Sequence, residues 1–168
     1  GVDIFFVING FLLVPSVCKA IDDSAFSFFN FMEKRIVRLL PLIVLASVTS
    51  LILGYFLMLP DDYENLAQTV IASNMFSENI LSLITTNYWD VQTGYKPLMH
   101  LWYVGILFEF YIILPLILML VSKIAASFKQ NKMQSMTNTI LLLTIISFVL
   151  YLAPFASSSG KFYMLPFR

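Results

Sequence analysis

The chain has 168 residues, 59% of them apolar and 12% charged, with ten Lys and Arg against ten Asp and Glu; its mean hydropathy is +0.83. A soluble domain of this size is about half apolar and a quarter charged, so this composition excludes both an ordinary soluble fold and a disordered chain. The balanced charge argues against a nucleic-acid binder, and a single Cys with a single His excludes an intrachain disulfide and a Cys/His zinc site.

Crossing a bilayer core takes about 20 apolar residues in helix. Residues 1–18 form the first candidate span, with Asp3 as their one charge. Asp3 and Gly10 are seven apart and share a helix face that could approach another helix closely. Asn9 is rotated away from that face but could hydrogen-bond across helices. These three positions are read as polar glue and close packing, or as lining a site. Cys18, beside Lys19, is either a lipidation site or, more plainly, a small apolar residue at a span end.

Residues 19–38 carry Lys19, Lys34, Arg35 and Arg38. Arg35 and Arg38 are three apart and share one helix face. Two guanidinium forks placed so can grip phosphate oxygens bidentately. The alternative is that they anchor the topology by reaching to lipid headgroups. The second candidate span, residues 39–60, carries no charge, and its Pro41 is tolerable near the end of a span.

Residues 61–96 hold Asp61, Asp62, Glu64, Glu78 and Asp90 against Lys96 alone. Leu66, Val70, Ile80, Leu81 and Ile84 recur near helical spacing. They predict an amphipathic helix at the outer interface, with a re-entrant segment as the alternative. Tyr88 and Trp89, then Trp102 and Tyr103, suit an interfacial aromatic belt.

The third candidate span, residues 97–122, contains His100 and Glu109, and its Pro115 is tolerable as a kink. Ionisable groups inside a span are functional candidates. In one continuous helix they would lie on opposite faces, about 13 Å apart along the axis, too far for a simple acid/base pair. His100 is near the outer end, and Glu109 is expected to face the bundle interior with a partner. Lys123, Lys129 and Lys132 follow; residues 127–137 read as a polar loop, and residues 138–156 as a fourth, charge-free span.

The basic segments 19–38 and 123–132 are then cytoplasmic and the acidic segment external, so the first and third spans run inward and the second and fourth outward. The chain starts at Gly1 and stops after an aromatic run. The expectation is an all-α, polytopic membrane bundle: four spans and an outer interfacial helix, all of residues 1–168 being part of one membrane domain truncated at both ends. No GxSxG elbow, Walker loop or HExxH motif is present. On composition alone, a transporter or channel with an ion path through Asp3, His100 and Glu109 competes with an enzyme.

Several segments together resemble the acyltransferase 3 family of integral-membrane acyltransferases. Residues 1–13, GVDIFFVINGFLL, are similar to its GVDxFFVxSGFL segment, with Asn9 in place of the usual Ser. Residues 35–41, RIVRLLP, resemble its RxxRxxP segment. Tyr88-Trp89-Asp90 and the run from Pro97 to Trp102 resemble its YWD and PLxHxW pattern, and residues 163–168 the lead-in to a following span. Where many members read SLSVEEQFY, this chain reads YVGILFEFY: Leu107 and Phe108 replace the acidic pair, and Glu109 replaces Gln.

The resemblance implies a bundle of about ten helices that moves an acyl group, usually acetyl, from cytoplasmic acyl-CoA to a glycan hydroxyl. Such acceptors include O-antigen, peptidoglycan, capsule and root-nodulation oligosaccharides. It also implies a location in the cytoplasmic membrane, no resident cofactor and no metal. The family's key His lies in a span preceding the first segment. Arg35 and Arg38 would then hold the CoA phosphates, and Asp3, Asn9 and Gly10 would line the site. His100 and Glu109 are the candidate catalytic groups within this sequence. The implied chemistry is activation of a sugar hydroxyl by a general base for attack on the thioester, or transfer through a covalent acyl-enzyme.

Overall fold

The computed structural model describes residues 2–85, 97–152 and 163–167. Among them are six α-helices and no strand: α1 Val2–Asp22, α2 Phe28–Leu57, α3 Pro60–Asn74, α4 Glu78–Thr85, α5 Trp102–Ser127 and α6 Lys132–Leu152. Short 3-10 turns cover Met99–Leu101 and Leu165–Phe167. Four segments are long and apolar enough to span: Val2–Asp22, Phe28–Leu57, Met99–Ser127 and Lys132–Leu152. The expected all-α bundle with four spans is what forms. Tyr88, Trp89 and Asp90 lie outside the described residues.

Helix α2 has 30 residues, about 45 Å of helix, against a hydrocarbon core of about 30 Å. Its charge-free part, residues 39–57, is about 28 Å long. Arg35 and Arg38 therefore stand at one end of a segment matched to the apolar layer. Pro15, Pro41 and Pro115 lie inside α1, α2 and α5. Each deletes one ladder hydrogen bond, a loss that packed membrane helices absorb.

Helices α1, α3 and α5 end alike. Ser24, Phe76 and Lys129 take φ of 56°, 56° and 53°. The amide of the next residue reaches back five positions, from Ala25 to the Ala20 carbonyl (2.9 Å), Ser77 to Ala72 (2.8 Å) and Gln130 to Ala125 (2.8 Å). This closure satisfies carbonyls that the last turn leaves open, and it usually employs glycine. Helix α6 begins at Lys132, so the expected loop over residues 127–137 is shorter than its polarity implies. The reason is a cap: the Gln134 amide donates to Asn131 Oδ1 at 3.2 Å. The Thr137 and Thr139 hydroxyls then turn inward to the Met133 and Ser135 carbonyls, both at 2.9 Å.

By packing, the chain divides into two compact units. The first comprises Gly1–Met32, Glu109–Ala156 and Leu165–Arg168. In it α1 packs on α6, as does the Leu165–Phe167 turn. Buried residues of α5 fall at Tyr111, Leu114, Pro115, Leu118, Ser122 and Ala125, one stripe at helical spacing. Leu13, Val17 and Ile21 make the corresponding stripe of α1. The outer faces, with Phe11, Leu12, Leu141 and Ile145, are exposed and apolar, as suits lipid.

The second unit comprises Glu33–Phe108 and Ser157–Met164. Here α3 folds back along α2. Leu66 and Tyr63 meet Gly54, where an added Cβ would lie 2.6 Å from Leu66 Cδ2. Asn74 Nδ2 donates to Ser47 Oγ at 3.0 Å. Phe76, Ile43 and Val104 form a buried cluster with Leu39, Leu40, Leu101, Tyr103 and Phe108 around it. The pairings descend α2 as they ascend the sequence, so α3 is antiparallel to α2 and retraces it. Exposed residues of α3 and its C-cap change from charged or polar (Asp61, Glu64, Gln68) to apolar (Ile71, Met75) along the way. The acidic segment thus folds as two helices where one was expected, the first of them laid antiparallel along α2.

Candidate active site

Helix α2 carries Arg35 and Arg38 on one face, just ahead of its charge-free stretch. Arg35 is half-buried and Arg38 exposed. The residue after Arg38, Leu39, packs against the Phe76 cluster. So does Leu101, the residue after His100. Arg38 and His100 each stand one residue from that cluster. His100 is exposed, in the Met99–Leu101 turn rather than in α5 itself.

The departures from the acidic motif have a packing explanation. Leu107 is 3% exposed. Phe108 stacks on Phe76 with ring centres 4.2 Å apart and planes at 12°. A carboxylate at position 108 would enter that apolar cluster and one at position 107 would be buried, each at a cost of several kcal/mol. Trp102 is buried and meets the Tyr163 ring edge-on at 5.7 Å.

In the other unit, Asn9 is half-buried and bonds twice. Its Nδ2 donates to the Phe5 carbonyl at 2.9 Å, and its Oδ1 accepts from the Tyr111 hydroxyl at 3.3 Å. The cross-helix bond anticipated for Asn9 is thus made, to a residue the sequence reading did not single out. Tyr111 also packs edge-on against Phe31 at 6.1 Å. Gly10 meets no other group: nothing lies within 4 Å of a Cβ placed there. The close helix approach expected on the Asp3–Gly10 face is therefore absent among the described residues. Asp3 is exposed, Glu109 half-buried and Cys18 buried within α1. A lipidation enzyme would not reach a thiol so placed.

Sequence reasoning also missed the polar face of α4. Glu78, Asn79 and Ser82 are all buried, while Ile80 and Ile84 are exposed. Ser82 Oγ donates to Glu78 Oε1 at 3.0 Å, and Asn79 Nδ2 to the Tyr163 carbonyl at 3.3 Å. The available signal was the i, i+4 pairing of Glu78 with Ser82. It was obscured by reading the apolar residues as the lipid side of an interfacial helix, whose polar side would meet water. Among the described residues no group of three or more His, Cys, Asp or Glu gathers to hold a metal.

Four helices long and apolar enough to cross a membrane define a multi-pass membrane protein. Residues 1–167 match the acyltransferase domain family, and the chain belongs to it. It is 29% identical over 161 residues to an uncharacterized protein of Haemophilus influenzae, covering 96% of this chain and 62% of that relative. It is 33% identical over 122 residues to proteins of Staphylococcus aureus strains COL and MSSA476, each named "Putative O-acetyltransferase". That match covers 70% of this chain and 20% of each relative. The chain therefore spans only part of the length of these relatives. No solved structure matches it.

Proposed function

We propose that the protein containing this chain transfers an acyl group, acetyl by preference, from acyl-CoA to a hydroxyl of a cell-surface glycan, working in the cytoplasmic membrane. The observation that carries this reading is the Arg35–Arg38 pair at the end of the 28 Å apolar stretch of α2, in a chain of the acyltransferase family. The basic segments that follow the first and third spans support a cytoplasmic position for that end of α2, where acyl-CoA is supplied. Guanidinium forks on one helix face give the bidentate, charge-assisted hydrogen bonds that a nucleotide phosphate accepts. Membership, together with the O-acetyltransferase names of similar proteins, favours acetyl and an oxygen acceptor.

Chemically, the hydroxyl oxygen attacks the thioester carbonyl as a base takes its proton, and the CoA thiolate leaves. His100, exposed beside the Phe76 cluster, and Glu109 are the candidate groups of this chain for handling protons. The test is the full-length protein in native membranes, given labelled acyl-CoA and acceptor glycan. Arg35→Ala and Arg38→Ala should each raise KM for acyl-CoA by about 10- to 100-fold, the loss of one charge-assisted contact of about 1.5–3 kcal/mol, while protein levels persist. Unchanged KM values in both variants would remove the arginines from the donor site.

A further inference from the structure

Glu78 is the one charged side chain that is fully buried among the described residues, at 2% exposure. A carboxylate so placed costs several kcal/mol unless its charge is compensated, and in a membrane protein such a group is a functional candidate. A place in the first turn of a helix favours negative charge through the helix dipole, but that benefit does not require burial. Nor does solubility, because the apolar face of α4, with Ile80 and Ile84, is the exposed one. An apolar residue at position 78 would pack without the desolvation cost.

The location of Glu78 is more informative. It follows the hairpin tip, where Phe76 sits in the cluster that includes Leu39, next to Arg38. Helix α4 packs on the Met99–Leu101 turn, which carries His100. The next residue, Asn79, holds the Tyr163 carbonyl at 3.3 Å. It also closes against Gly105 near the start of α5, whose added Cβ would lie 3.0 Å from Asn79 Cγ and 3.1 Å from the Phe76 carbonyl oxygen. The buried polar face of α4 is therefore the joint between the hairpin, the His100 turn and the first turns of α5. The Ser82 hydroxyl, donating at 3.0 Å, fixes the carboxylate within that joint.

We propose that Glu78 is a positioning residue of the acyl-transfer reaction, its buried negative charge acting through the Met99–Leu101 turn to orient His100. The proposal rests on the acyl-transfer reading above. Its test uses the full-length protein in lipid nanodiscs with acetyl-CoA and acceptor glycan, scored for kcat, both KM values and Tm. Glu78→Gln keeps the shape and an oxygen that accepts from Ser82, so Tm should stay level or rise. Its kcat should fall at least tenfold, with KM for acetyl-CoA within twofold of wild type. Glu78→Asp, which restores the charge, should recover part of that loss. Ser82→Ala, which keeps the charge, should lose far less than Glu78→Gln. Wild-type kcat in Glu78→Gln, an equal loss in Ser82→Ala, or a fall in Tm that accounts for the lost activity would each overturn the positioning role. Absence of transfer by the wild-type protein would overturn the acyl-transfer reading itself.

Discussion

Three residues in left-handed conformation, Ser24, Phe76 and Lys129, close three helices where glycine is the usual choice. At an L-residue this conformation costs about 1–2 kcal/mol. Ser24 and Lys129 are exposed and contribute only their backbone to the closure. Ser24→Gly and Lys129→Gly should therefore each stabilise the protein by up to about 1 kcal/mol, read as a higher Tm in detergent. Phe76 pays the same backbone cost but is buried and stacked on Phe108. Phe76→Gly should lower Tm, because losing a buried aromatic costs about 3–5 kcal/mol and outweighs the relief. A gain in Tm at position 76 would mean that the stacked cluster contributes little.

Among the helices, the two glycines of the hairpin joints make a direct comparison. A Cβ on Gly54 would press the far end of the Leu66 side chain, which can rotate away. A Cβ on Gly105 would press Asn79, pinned by its bond to Tyr163, and the backbone oxygen of Phe76. Gly105→Ala should thus cost about 1–3 kcal/mol and Gly54→Ala distinctly less, measured as loss of Tm in the same detergent. Equal effects would show that the Asn79 joint gives way easily. These contacts explain what the sequence reveals and what it hides. Long charge-free runs announce α2 and α6 unaided. Helix α4 does not announce its orientation, since the spacing of Glu78, Ser82, Ile80 and Ile84 is the same whichever face turns inward. In water the apolar face would be buried; beside lipid the polar one is. Likewise, the acid-rich start of α3 reads as interfacial, and only its contacts with Gly54 and Ser47 show it descending along α2. Arg35 and Arg38 were legible from their spacing of three, whereas the Asn9–Tyr111 bond joins residues 102 apart and had no local signature.

At the scale of the molecule, the charge distribution gives a testable orientation. Lys19, Lys123 and Lys129 are exposed, as are Asp61 and Glu64. Cys18 is buried and serves as a quiet background. In intact cells a membrane-impermeant maleimide should label Asp61→Cys from outside, and Lys129→Cys only after permeabilisation. The reverse pattern would put Arg35 and Arg38 on the external face and remove acyl-CoA as their ligand. Helices α2 and α6 bury only 11% and 6% of their apolar windows, against 44% for the Met99–Ser127 segment. The last is therefore the element most shielded by protein.

The retracing of α2 by α3 also bears on biogenesis. Helix α3 is 15 residues long with Asp61 and Asp62 in its first turn, too short and too acidic at its start to be inserted as a span of its own. The polar face of α4 finds Tyr163 and Gly105 only after those residues have been synthesised. Until then the buried Glu78 lacks those neighbours, so the hairpin is expected to pack only after α5 has been threaded. Docking it should then be a late step of maturation: a nascent chain stalled before residue 105 is expected to be cut by protease within residues 60–85, and equal protection of stalled and full-length chains would refute this.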